Sequence, residues 1–60
     1  MSLLDEVYYG FTRSYNFEGY RLAITPEGTP QILNKNGVIL KDWDSLESAR
    51  AWFKENGYLK

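Results

Sequence analysis

Apolar positions follow three different spacings along the 60-residue chain, and each spacing predicts a different element. From Ser45 to Asn56, Leu46, Ala49, Trp52 and Phe53 fall three, three and one apart, while Glu47, Arg50, Lys54 and Glu55 take the other side. This is one face of an amphipathic helix. Asp44 or Ser45 is placed to act as its N-cap, and Asp44 with Glu47 has the spacing of a capping box. Asn56-Gly57 supplies the stop, because glycine enters the left-handed region that ends helices and Tyr58 can fold back on the last turn. Ahead of the helix, Gly19–Thr25 alternates, with Tyr20, Leu22 and Ile24 on one side and Arg21, Ala23 and Thr25 on the other. That is the period of a strand.

Pro26-Glu27-Gly28-Thr29-Pro30 reads as a turn, Pro30–Asn34 as a second strand and Val38–Lys41 as a third. Asn36-Gly37 between the last two is the strongest hairpin signal in the chain, and a type I′ turn is expected there with positive φ at both central residues. The fold class is therefore α+β: a three-stranded antiparallel meander packed against one C-terminal helix. The expected core is Leu22, Ile24, Ile32, Val38, Leu40, Leu46, Ala49 and Phe53, with Trp43 closing one end. Consecutive apolar residues in the second and third strands leave Leu33, Ile39 or their neighbours on the far face of the sheet, which suggests a second contact there.

Residues 1–18 form an N-terminal aromatic arm with two competing patterns, set against a domain of residues 19–60. Ser2 followed by Asp5 and Glu6 resembles a helix start. Alternation of Val7, Tyr9, Phe11, Arg13, Tyr15 and Phe17 instead predicts a strand, a state the aromatic content favours. The arm either adds a strand or contributes a short helix, and a helical start to about Tyr9 followed by an extended segment satisfies both patterns.

Composition narrows the function classes. The chain has no Cys and no His, so disulfides are excluded and a structural zinc site effectively so. Those same absences remove the commonest general base and strong nucleophile. No enzyme activity and no cofactor are expected, and no catalytic or metal residue is nominated. Asp42 and Asp44 form a close acidic pair whose plain reading is a solvated turn and helix cap. Seven basic and eight acidic residues give a net charge of −1, which argues against wholesale grip on a phosphate backbone. Asp5 and Glu6 interrupt the N-terminal apolar stretch, and no run approaches the ~20 apolar residues of a membrane span. A cytoplasmic protein without membrane contact is expected.

A chain this small has a thin core, worth roughly 3–5 kcal/mol. Its two Trp, five Tyr and three Phe are either its remedy or its interface. Tyr8, Tyr9, Phe11, Arg13 and Tyr15 are the candidate interaction surface, since Tyr, Trp and Arg are enriched at hot spots. A protein partner or self-association, as a homodimer through an edge strand or the arm, is the first reading. Nucleic-acid binding by the sheet, with rings stacking on bases and Arg13 and Arg21 on phosphates, is the alternative.

The stretch from Gly37 to Trp52, through Gly37, Trp43, Asp44, Ser45, Leu46, Glu47, Ala49 and Trp52, resembles a pattern in small uncharacterised bacterial and prophage-type proteins of β-β-β-α order. That resemblance implies a hairpin, strand and helix in sequence, and an accessory role of phage or prophage kind. The three-strand-plus-helix order is also similar to the arm-binding domain of phage-type integrases, which implies a sheet that docks on DNA.

Overall fold

A computed structural model describes residues 2–16 and 18–59. Its elements run α1 (Leu3–Tyr15), β1 (Arg21–Ile24), β2 (Pro30–Leu33), β3 (Ile39–Asp42) and α2 (Leu46–Glu55). The three strands form an antiparallel sheet in the order β1-β2-β3, as the alternation and turn signals predict. Of the two patterns in residues 1–18 the helical one holds: helix α1 continues to Tyr15, past the expected end near Tyr9, and among the described residues no strand forms there. Phe17, the last residue of that alternation, lies outside the described residues.

Helix α1 is closed at both ends by local chemistry. The Ser2 hydroxyl accepts from the Asp5 N–H and the Asp5 carboxylate accepts from the Ser2 N–H, both at 3.3 Å, which completes a capping box. Asn16 ends the helix in the left-handed region at φ 47° and donates its N–H to the Thr12 carbonyl. The same pattern recurs in α2 with a different partner. Ser45 is the N-cap and accepts from the Ser48 N–H at 3.1 Å, so the expected Asp44–Glu47 box gives way to a Ser45–Ser48 pair. At its C-terminal end Tyr58 N–H donates to Phe53 and Gly57 N–H donates to Lys54, with Gly57 at φ 81°: a Schellman ending.

Both hairpins use one device. Gly28 N–H donates to Thr25 and Gly37 N–H donates to Asn34, each glycine having positive φ, while Asn36 does not. The turn at Asn36-Gly37 is therefore not type I′; it is a three-residue loop with a lone left-handed glycine. Asn34 keeps the tip closed, its side-chain oxygen accepting from the N–H groups of Asn36 and Val38.

One core joins the layers. Val7 and Phe11 of α1, Ile32 of β2, and Ala49 and Phe53 of α2 are buried together, with Tyr15, Leu22, Trp43, Leu46, Trp52, Tyr58 and Leu59 packed around them. Gly10 is also buried, and a Cβ placed on it would lie 2.6–2.9 Å from three carbons of Phe53. The missing side chain is what lets α1 approach α2 this closely. Arg50 and Glu6 tie the same two helices at 2.8 Å.

Three expected core residues are exposed: Ile24, Val38 and Leu40. For Val38 and Leu40 the cause is the second helix together with a register shift. Helix α1 supplies the apolar volume that Val38 and Leu40 were expected to provide. A bulge between β2 and β3 leaves Leu40 without a partner, because Ile32 faces Lys41 and Leu33 faces Ile39.

Candidate functional site

The aromatic arm does not present its five candidate residues as one surface. Helical geometry separates them, since residues three or four apart share a face. Phe11 lies in the core, and Tyr15 is half-buried against it with ring centroids 5.6 Å apart. Phe11 is thus withdrawn from the contact surface expected for it. Tyr15 also meets Tyr20 edge-on at 5.1 Å, and burial, followed by the nearby Tyr58 and Tyr20 phenols, raises the Tyr15 pKa above its ordinary value. Tyr8 and Tyr9 are exposed. Arg13 reaches back one turn to donate to the Tyr9 hydroxyl at 3.1 Å and lies over its ring at 5.6 Å. That pair satisfies itself locally.

The sheet presents a larger apolar surface. Leu22 and Ile32 are cross-strand partners that turn toward the helices. By the two-residue alternation of strands, Arg21, Ala23, Gln31 and Leu33 face away from them. Lys41 pairs with Ile32 and sits on the helix side, its ammonium 5.4 Å from the Trp43 ring and 5.0 Å from the Trp52 ring. Asp42 and Ile39, the partners of Gln31 and Leu33, therefore lie on the outer face. The bulge turns Leu40 outward as well. Ile39 and Leu40 are 51% and 49% exposed, and Leu33 is half-buried.

This face has a simple plan. One row runs Arg21, Leu33, Ile39 and the next runs Ala23, Gln31, Asp42, with Leu40 between the rows on β3. Its single cation and single anion occupy opposite corners of an apolar centre. Neither Arg21 nor Asp42 forms a salt bridge among the described residues.

Sequence reasoning anticipated Leu33 and Ile39 on a second surface but placed Leu40 in the core and passed over Lys41. The signal for Lys41 was its position between Leu40 and Trp43: a long aliphatic stem ending in a charge can cover Trp faces.

Asp42 and Asp44 are both exposed at the β3–α2 corner. Among the described residues, no group of three or more acidic, His or Cys side chains comes together in a way that could hold a metal ion. No helix of the described residues is long and apolar enough to cross a membrane. Compared with known proteins, the chain matches no family model, no curated protein and no solved structure.

Proposed function

We propose that this chain is a non-enzymatic protein-interaction module, and that it makes contact through the outer face of its sheet. The observation that carries the reading is the exposure of Ile39 and Leu40 beside half-buried Leu33, on a sheet whose other face is already covered by helices. Full burial of a Leu or Ile side chain contributes ~1.5–3 kcal/mol. Half-exposed Ile39 and Leu40 thus leave about 1 kcal/mol each unrealised in the isolated chain. A partner covering this face recovers that contribution. The role is an accessory one, of the phage or prophage kind implied by the resemblance of Gly37–Trp52.

The alternative, nucleic-acid binding by the sheet, draws less support from the same face. Arg21 is its single basic residue, and Asp42 stands on it as well. Exposed Tyr8 and Tyr9 lie on α1 rather than on the sheet.

The test is the double substitution Ile39→Thr/Leu40→Thr, which keeps strand propensity while removing apolar surface. At tens of micromolar, thermal unfolding of the variant is expected to show a loss of no more than about 2 kcal/mol, the burial that the two half-buried side chains already realise in the isolated chain. Binding of a dye that fluoresces on apolar surface should fall. A loss above about 4 kcal/mol, as for truncating two core residues, would show that these side chains hold the fold together, and the reading would be wrong.

A further inference from the structure

Resting on that reading, we infer that the outer sheet face is self-complementary and that its partner is a second copy of this chain, packed face to face. The inference comes from where the charges stand. Arg21 occupies one corner of the face and Asp42 the diagonally opposite corner, with Leu33, Ile39, Leu40 and Ala23 between them. Both charged side chains are exposed and without a salt-bridge partner among the described residues.

A two-fold axis lying in the interface, along the diagonal from the Ile39 corner to the Ala23 corner, exchanges the other two corners. It sets Arg21 of each copy over Asp42 of the other, brings Ile39 against Ile39, and lays Leu33 against Leu40. The same contacts then occur twice, as closed two-fold symmetry requires. The strands of the two sheets cross at a steep angle, one of the two established ways for sheets to stack. A foreign partner would have to supply an anion and a cation at the matching diagonal. A second copy already carries them.

The β3 edge of the sheet is a poorer route to assembly. Edge strands are protected from pairing by bulges and by charged side chains pointing inward. β3 has both, in the bulge at Leu40 and in Lys41 turned toward Trp43 and Trp52. Pairing is thus hindered at β3, one of the sheet's two edges, while face-to-face packing is open.

The face is small. Strands ~4.8 Å apart and ~3.4 Å per residue give an area of roughly 14 by 14 Å. That is well under the ~800 Å² per partner of a standard stable interface. Association is therefore weak, in the range of roughly 100 μM to 1 mM.

The experiment is sedimentation equilibrium of the full chain from about 10 μM to 1 mM, on the parent, on Arg21→Glu, and on Arg21→Glu/Asp42→Arg, with circular dichroism confirming the fold of each. The parent mass should rise with concentration toward twice the 7.0 kDa of one chain. Arg21→Glu sets like charges against each other and should weaken association roughly tenfold or more. The exchanged pair should return it to within about threefold of the parent, since only the pairwise interaction has been inverted. A parent that stays monomeric at about 1 mM overturns the inference while leaving the interaction-module reading to the unfolding and dye test. A dimer that ignores Arg21→Glu, or one that the exchanged pair fails to restore, also overturns it.

Discussion

Replacing Gly10 by Ala tests the packing of the two helices, because two physical effects of known size oppose each other there. In a helix interior Ala is favoured over Gly by ~0.8–1.0 kcal/mol. Propensity alone thus predicts a more stable protein. Packing predicts the reverse. The added Cβ would lie 2.6 Å from Cγ, 2.8 Å from Cβ and 2.9 Å from Cδ2 of Phe53. Carbon atoms settle at ~3.5–4.0 Å, so the closest approach is about 1 Å too short. Phe53 cannot yield easily. It is fully buried, and Trp43, Trp52 and Tyr58 stand around it at centroid distances of 5.3, 5.2 and 6.4 Å. The helices must separate instead, which disturbs Val7, Phe11 and Ala49 in the same core. Overpacking of this kind costs ~1–3 kcal/mol, and three simultaneous close contacts put Gly10→Ala at the upper end. After the propensity gain, a net loss of about 1–2 kcal/mol remains.

For a domain this size each kcal/mol moves Tm by ~4–8 °C, so Tm should fall by roughly 4–16 °C. Thermal and urea unfolding, followed by far-ultraviolet dichroism at tens of micromolar, would measure it. Ala51→Gly, at an exposed position of α2, calibrates the propensity effect in the same protein. If Gly10→Ala raises Tm, the close approach of α1 to α2 does not exist and the core described above is wrong.

Thr12 offers a gain from removing a polar atom: its Oγ1 is buried and finds no hydrogen-bond partner among the described residues. Thr12→Val keeps the shape, removes the unpaired hydroxyl and should stabilise by about 0.5–1 kcal/mol in urea unfolding; a loss would mean that the hydroxyl has a partner in solution. Tyr15 gives a pH dependence. Burial raises its pKa above the ordinary value near 10, so the folded chain holds the phenol proton after the unfolded chain has released it. Stability is then full below pH ~10 and declines as pH rises from there through the folded-state pKa. Tyr15→Phe should flatten that alkaline decline in urea midpoints taken from pH 8 to 11, and an unchanged slope would remove Tyr15 as its source.

How much of this was legible in the sequence depended on whether local signals agreed. Around α2 they did: cap, apolar spacing and terminal glycine all marked one helix, and only the partner of the N-cap changed. The sheet order was equally readable from its two glycine turns. In α1 the signals conflicted. Ser2 and Asp5 marked a helix start, while aromatic residues at alternate positions resembled a strand. Leu3, Val7, Phe11 and Tyr15, each four apart, carried the helical answer, and burial of Val7 and Phe11 against α2 decided it. The purpose of Gly10 was not legible locally, because it lies 43 positions away in Phe53.

The outer face was half legible. Runs such as Val38-Ile39-Leu40 show that a strand is apolar on both sides, but not which side faces the helices. The bulge decides that by changing the parity of β3, and no residue in it announces a bulge. Leu40 therefore passed from expected core to surface, and Lys41 took the inward position. The candidate arm does not form one surface for the corresponding reason: Tyr9, Phe11, Arg13 and Tyr15, which would share a strand face, cannot share a helix face.

Contacts between copies can be observed directly by mixing isotope-labelled and unlabelled chains at about 1 mM, a concentration that suits weak association, and recording intermolecular nuclear Overhauser effects from methyl groups. Cross-peaks joining Ile39 to Ile39 and Leu33 to Leu40 between copies are the predicted result. Cross-peaks from Tyr8 and Tyr9 in their place, or none from the outer sheet face, would contradict it.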